Sequence, residues 1–572
     1  MKCNKIFSAI AVTSMMFFSS CYDLDRVPDS KISSGSFFLN EGHAKMAMMS
    51  VYHQMQNDHV FGLKFSIDAI GGISCGYDPY GYMPQQKDEA GAGNEYSHKK
   101  WKELYEGVAR TNNVIQNIHT CDMSDELKAR YIAEARFMRG LFYFELLDYY
   151  GGVPIYDETT YVGLEFATML KPRNTAEEVR NFVLADFEAA LALPKEWEQE
   201  NYGRATWGAA MAMKGKTLLF AKRYDEAKKC FQEIVDSHLY ELYPEYADLF
   251  QRKAHMCSEM IFSIQNMGGL GSDIGMPLAK HLGTRSAFGW DWNNVMGSHT
   301  FVESYEWADG RPFTWKEFIP GKNIKDIMAC RFNSDYTEVT KWSTYKDKVL
   351  EMYSQRDPRM MASVILPFTT FNGWVNNEPV TVTYIVPLTS AGKNGAVPNT
   401  STKFLACNGN HYAYPYRKFV PEGNDEGAIN VREHTPINFP LVRYADVLLM
   451  LAECHNELGE LPEAVARVNE VRARPSVHMP GLNSGPEWLN VSTKEEMFKR
   501  IRHERAVELC CEGHSYADMK RWGTLEELNG KKEYKLLNNT WYTRKVTARN
   551  YLWGIPPGEL DMNPNLTQNP GY

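Results

Sequence analysis

Stepping by four from Arg500 gives Glu504, Glu508 and Glu512, within the stretch RIRHERAVELCCEGHSYADMKRW that ends at Trp522. On a helix these three carboxylates and one guanidinium form a single ridge, with Phe498, Ile501, Leu509 and Cys510 supplying an apolar face. Like charges four residues apart repel by roughly 0.2–0.5 kcal/mol per pair, so the ridge requires cations from elsewhere in the chain. Two chemistries fit. Paired carboxylates serve as acid and base on a glycosidic bond. The same groups facing arginines on neighbouring helices form an ion-pair network that locks the packing. Charged side chains in packed helices are paired far more often than they are catalytic, so the network is the preferred expectation. Gly513 is expected to stop the helix as a C-cap, and Tyr516 to Trp522 to fold back as a second short helix.

Other chemistry is sparse. The sequence contains no P-loop followed by Lys-Ser/Thr, no HExxH and no GxGxxG opening a helix. Its 15 histidines, His411, His434, His455 and His478 among them, lack ligand spacing, and its 11 cysteines form no CxxC pair. No metal, cofactor or disulfide framework is expected. The vicinal pair Cys510-Cys511 is expected inside the helix, one member packing as a small hydrophobe. A net charge of −9 argues against nucleic acid as a partner. Aromatics make up 13% of the chain, with 32 Tyr and 13 Trp, a composition that suits neutral sugars, although most such rings belong to a core.

The elements that must position these groups are mainly helical. Amphipathic spacing marks Glu41 to Met55, Trp101 to Ile118, Thr175 to Leu193 and Trp207 to His238. Arg130 to Tyr150 is apolar nearly all round and should be buried. Gly215, Ala227 and Phe231 fall at the spacing of a tetratricopeptide helical pair, and Ala452 and Ala464 repeat the interval within a second pair reaching Arg474. The matches are irregular, so the expected fold is mainly α: a tetratricopeptide-like scaffold of helical pairs with a loop-rich, partly β insertion region. That region runs from 267 to 440, where Gly and Pro become frequent and Val380 to Val386 alternates as a strand does. A second loop, 68–95, carries Tyr77, Tyr80 and Tyr82 among glycines and prolines. Long irregular loops in a folded domain are usually functional.

Lys2 and Lys5 precede an apolar run, Ile6 to Phe18, that ends in Ser19-Ser20-Cys21, the pattern of a lipoprotein signal cleaved before Cys21. Acylation of Cys21 would anchor the chain to a membrane, and no later run is long and apolar enough to span one.

ERAVELCCEGHSYADMKRW resembles the signature of the SusD/RagB family, E-R-x-x-E-L-x-x-E-G running into D-L-x-R-W, with Met519 in the place of leucine. Further resemblances follow in order: W-x-x-L-Y at Trp101, the A-E-A-R-F segment from Ala133 ending in G-G-V-P, Asp309-Gly310-Arg311-Pro312, Arg356-Asp357-Pro358-Arg359, and the tail from Ile555 to Tyr572. The resemblance implies a non-catalytic outer-membrane, cell-surface lipoprotein that binds oligo- or polysaccharide for a SusC-like TonB-dependent transporter. The acidic residues Asp23 and Asp25 are similar to the export signal of such lipoproteins. On this view 1–20 is the signal peptide, 21–40 the lipidated tether, 41–266 an N-terminal helical region, 267–440 the loop-rich ligand-binding region and 441–572 a C-terminal helical region with a wrapping tail. The Asp and Arg of the two loop landmarks are expected to brace loops. Sugar recognition needs exposed rings with polar helpers. The expected rings are Tyr77, Tyr80, Tyr82, Trp290, Trp292 and Trp374, and the expected helpers Asn94, Asp291 and Asn293. The alternative is an all-helical secreted glycoside hydrolase or lyase.

Overall fold

A 26-residue helix that is buried on almost every side, Asp125–Tyr150, lies at the centre of the N-terminal half. It is α3 in a computed structural model that describes residues 37–76, 85–161, 169–269, 274–288, 291–388, 397–407, 412–537 and 540–572. The leader and Cys21 lie outside the described residues. The other N-terminal helices are α1 (Glu41–His53), α2 (Glu95–Asn117), α4 (Ala176–Ala189), α5 (Trp207–Phe220) and α6 (Tyr224–Asp236). The C-terminal half contributes α7 (Tyr444–Glu457), α8 (Leu461–Arg472), α9 (Lys494–Glu508) and α10 (Ser515–Trp522). Polar caps set their starts: Ser124 for α3, and full capping boxes of Thr175 with Glu178 for α4 and Thr493 with Glu496 for α9.

The helices pack as consecutive pairs, α5 on α6 and α7 on α8, in the tetratricopeptide-like manner. Gly215 explains one close approach, since a Cβ there would sit 2.7 Å from the Phe231 ring. Strands are short and scattered among loops, as in the hairpin of Thr370–Val375 with Glu378–Thr383. The tail wraps back over α3. Trp553 is buried with its indole donating to the Tyr516 hydroxyl at 3.0 Å, and the Asn569 amide donates to the Tyr150 carbonyl at 3.0 Å.

The carboxylate ridge is enclosed by cations. Glu508 Oε1 accepts from Arg443 (2.8 Å) and Arg474 (2.7 Å), and its Oε2 accepts from Arg359 (2.9 Å). Glu504 is shared by Arg359 (2.5 Å) and Arg472 (3.0 Å), and Glu512 by Lys418 (2.6 Å) and Arg443 (2.9 Å). With Glu259, Glu306, Asp357 and Arg500 added, six cations face six carboxylates. The helix differs from expectation at its end. It stops at Glu508, because Arg443, Lys418 and the Tyr246 hydroxyl all donate to the Glu508 carbonyl, which satisfies the terminus without a glycine. Cys510 and Cys511 therefore lie in the following turn, with Cys511 at φ +64°, and Glu512 re-enters the network through that turn. Gly513 instead permits a close backbone approach, since a Cβ on it would meet the Lys64 carbonyl oxygen at 2.4 Å. The loop landmarks do brace. Arg356 donates to the Tyr305 carbonyl, and Asp357 holds Arg359 at 2.8 Å for the ridge.

A smaller buried group ties α3 to α2. Glu145 receives Lys64 at 2.7 Å and Lys100 at 2.9 Å, and the Lys100 ammonium lies 4.4 Å from the Tyr149 ring centroid. Burial alone would raise the Glu145 pKa, but Lys100 and Lys64 outweigh it and hold the group at about 2.

Three outcomes are expected. Gly215→Ala in an open helix would gain about 1 kcal/mol. Here it should lose roughly 1–3 kcal/mol to overpacking against Phe231, read as a lower urea midpoint. Glu508→Ala leaves three buried guanidiniums short of a partner and should cost roughly 3–5 kcal/mol in the same assay. The depressed pKa of Glu145 contributes stability that is complete above the ordinary carboxylate range and is lost as pH falls from there towards about 2. Urea titrations at stepped pH should show that decline, and Glu145→Gln should flatten it.

Candidate functional site

The loop regions are brought together by a three-stranded sheet. Ser74–Gly76 pairs antiparallel with Val295–Gly297, Gly76 opposite Val295, and Val295–Gly297 pairs in turn with Tyr414–Pro415. The chain just before residue 77 and the chain just after Trp292 thus run as neighbouring strands whose ends meet. Sequence spacing treats them as separate loops some 200 residues apart. The flanks of loop 68–95 are pinned by the C-terminal region. Asp68 accepts the Gly513 and Ser515 amides, each at 3.1 Å, and burial pushes its carboxyl up to about 6 despite those bonds. Further along, Asn550 donates to the Gln85 carbonyl at 2.8 Å, while Asp88 accepts from Thr547 at 2.7 Å and Arg549 at 3.0 Å.

Of the expected rings, Tyr77, Tyr80, Tyr82 and Trp290 lie outside the described residues. Trp292 is half-buried. Its amide donates to the Lys280 carbonyl at 2.6 Å, and its ring centroid lies 4.6 Å from the Lys280 ammonium and 4.9 Å from the Arg432 guanidinium, with His281 edge-on at 5.6 Å. Burial and those two cations push His281 down to about 3, so it is neutral at physiological pH. Trp374 is half-buried on its hairpin opposite Pro379. That hairpin packs on the short helix Arg285–Phe288: a Cβ on Gly373 would lie 2.1 Å from the Ser286 carbonyl oxygen. The Trp374 hairpin therefore packs on Arg285–Phe288, which precedes Trp292 in the chain.

The expected polar helpers fare differently. Asn94 caps α2, its side chain accepting the Ser97 amide at 3.2 Å. Asn293 is fully buried at φ +49°, its amide reaching the Met296 sulfur at 3.5 Å. Asp291 is also fully buried, and neither carboxylate oxygen has a hydrogen-bond partner among the described residues. Burial raises its pKa well above the usual range, against the pull of Arg432 and Arg285.

Two features escaped the sequence. A polar cleft of about 430 Å³ lies beside Lys280, walled by Gln54, Asn57, Asp58, Glu103 and Glu433. Its residues come from the end of α1, from α2 and from the loops near 280 and 433, a convergence that carries no local signal. Amides and carboxylates of this kind orient hydroxyl-rich ligands. Trp541, half-buried beside Lys535 at 5.1 Å, packs on Cys75, Met296, Ala413 and Tyr542 at the same sheet. A tryptophan in the polar run Asn538-Asn539-Thr540 could have flagged it. Among the described residues no group of three or more His, Cys, Asp or Glu is placed to hold a metal ion. The ridge carboxylates are sealed beneath arginines, far from the access a substrate bond would need.

Comparison with known proteins agrees with this architecture. SusD-like protein P38 of Formosa agariphila is 23% identical over 597 residues, covering 99% of this chain and 100% of that protein. A solved SusD-like carbohydrate binding protein of Bacteroides fragilis has a TM-score of 0.73 at 23% identity, covering 93% of this chain and 100% of that one. Surface glycan-binding protein A of Bacteroides fluxus has a TM-score of 0.63 at 19% identity, with coverages of 93% and 100%. Residues 24–219 match a family described as "Starch-binding associating with outer membrane". Residues 258–572, more than half of the chain, match the model of the SusD family, and the protein is a member of that family.

Proposed function

We propose that this SusD-family protein is a non-catalytic, cell-surface glycan-binding lipoprotein that captures oligo- or polysaccharide and passes it to a SusC-like TonB-dependent transporter in the outer membrane. The observation that carries the proposal is the sheet of Ser74–Gly76, Val295–Gly297 and Tyr414–Pro415, which joins the ends of the two ring-bearing loop regions, with Trp292 bonded to Lys280 at the wall of a polar cleft. Rigid loop ends with aromatic and amide side chains suit a pre-formed sugar platform. The names of relatives and structural neighbours, which include a carbohydrate binding protein and a surface glycan-binding protein, support the same reading.

Tyr77, Tyr80, Tyr82, Trp290, Trp292 and Trp374 remain the proposed ring set. Cys21 is the proposed lipid attachment, with the segment to residue 40 as a tether. Regions 41–266 and 441–572 are proposed as the scaffold and 267–440 as the main recognition region. The hydrolase or lyase alternative is disfavoured because Glu504 and Glu508, its best carboxylates, are buried and each held by two or more arginines.

The test is calorimetric titration of the chain from Tyr22 onward with a panel of neutral and acidic polysaccharides, reducing ends being assayed in the same samples. Saturable heat without new reducing ends is expected, weakened at least about tenfold by Trp292→Ala or Tyr80→Ala. New reducing ends would overturn the non-catalytic assignment, and silence across the whole panel would overturn glycan binding.

A further inference from the structure

We infer that the molecule carries a second glycan-binding surface, formed by the exposed ring of Trp488 beside Asp309 and Arg311 with the half-buried rings of Trp307 and Trp315 next to it, and that this surface holds a further stretch of the same polysaccharide chain. This rests on the glycan-binding reading and extends it from one contact to two.

Trp488 lies in the segment between α8 and α9 and is 41% exposed. Single exposed rings are ordinary on protein surfaces, and what sets this one apart is that it is held in place. Its indole N–H donates to the Asp309 carbonyl at 2.9 Å, its own carbonyl accepts from Arg500, and the Arg311 guanidinium lies 5.7 Å from its ring centroid. The next residue, Leu489, is fully buried against Gly310, where a Cβ would stand 2.7 Å from the leucine Cδ2. Trp342 gives the contrast. It is equally exposed, but among the described residues its ring meets only the Lys346 ammonium at 4.3 Å, and its indole makes no hydrogen bond. A ring already fixed in position loses little freedom when a ligand lands on it, so more of its contact area converts into affinity.

The polar groups beside Trp488 suit hydroxyls. The turn beneath it is closed by the Gly310 amide donating to the Trp307 carbonyl at 2.7 Å and the Trp307 amide donating to the Arg311 carbonyl at 2.9 Å. Arg311 Nε donates to Asp309 Oδ2 at 2.7 Å, which braces the turn and leaves the two terminal guanidinium nitrogens to solvent. Both side chains are exposed, so the pair offers donors and acceptors together with no net charge. Trp307 and Trp315 stand on the buried Phe313, their centroids 5.5 and 5.2 Å from its own, and extend the aromatic surface from the same turn. A sugar ring, apolar on its C–H face and hydroxylated at its rim, packs on an indole with such a pair at its edge. None of these residues belongs to the set around Trp292, whose ring contacts are Lys280, His281 and Arg432. Two contacts on one body let a long chain bind twice, the second engagement being intramolecular, whereas a short oligosaccharide gains nothing from the second.

The test uses the chain from Tyr22 onward with amylose, mixed-linkage β-glucan, xylan and mannan, and with the trisaccharide of each. In the wild type, the polymer that binds should protect Trp488 from hydroxyl-radical oxidation, read by mass spectrometry, while Trp342 keeps its reactivity. That readout does not depend on how any variant folds. Trp488→Ala and Arg311→Ala should each weaken polymer binding about tenfold and change trisaccharide affinity much less, whereas Trp292→Ala should weaken both. Polymer binding that leaves Trp488 as reactive as before, or an affinity unmoved by both Trp488→Ala and Arg311→Ala, would overturn the second surface and leave glycan binding intact. Protection of Trp488 with Trp292→Ala silent would uphold this surface and overturn the platform at Trp292. No binding of any polymer would overturn both.

Discussion

The carboxylate of Glu508, held by Arg359, Arg443 and Arg474, is the interaction on which the rest of the body depends. These arginines arrive from three separate places: the turn after Pro358, the end of the strand Phe439–Arg443 and the segment just after α8. Each must desolvate fully to reach α9, and a buried ion pair seldom gains much over an apolar substitute of equal shape. What the arrangement supplies is mutual dependence. Withdrawing any one partner from the network strands a buried charge, so the contributing segments must pack in one register or not at all.

That mutual dependence explains how a chain with short helical pairs and few strands supports long irregular loops. The pairs α5–α6 and α7–α8 bury ordinary apolar faces, with small residues such as Gly215 where backbones come close. The tail then staples the two halves. Trp553 enters the aromatic group of Tyr96, Tyr149 and Tyr516, and Arg173 reaches back to Asn569 at 2.8 Å. Loops built on such a frame can vary in sequence without disturbing the core.

Helices were legible wherever local periodicity was strong. The reading of α3 as a buried helix follows from its being apolar nearly all round, and that of a close helical pair within Trp207 to His238 from the tetratricopeptide spacing of Gly215, Ala227 and Phe231. The ridge was legible as a demand for cations, and the landmark Arg356-Asp357-Pro358-Arg359 supplied one of them. The helix end at Glu508 was not, because it depends on Arg443, Lys418 and Tyr246 donating to one carbonyl from far along the chain. The candidate site was legible only in part. Trp292 and Trp374 stand out as tryptophans in polar surroundings, but pairing of Gly76 with Val295 and the meeting of Lys280, Arg432 and Glu433 have no trace in spacing. Asn94 shows the opposite failure: a polar residue at a loop's edge reads as a ligand helper when it is simply the first cap of α2.

Asp68 links these two levels of organisation. The turn that follows Glu508 carries Cys511 and Gly513 at positive φ, and it presents the Gly513 and Ser515 amides to the Asp68 carboxylate. Asp68 stands at the base of the loop that leads through Ser74–Gly76 into the ring-bearing segment. Gly513 is required there because its neighbour, the Lys64 carbonyl, leaves no room for a side chain, and Lys64 itself pairs with Glu145 of α3. The most recognisable stretch of the sequence is therefore built into the packing, its carboxylates buried and paired. Its carboxylates fix α9 against the body, the turn beyond α9 fixes the root of the first loop, and the sheet carries that position across to Trp292. Loops set on this frame gain their rigidity through this chain of contacts, which is why a buried ion-pair motif accompanies long irregular loops.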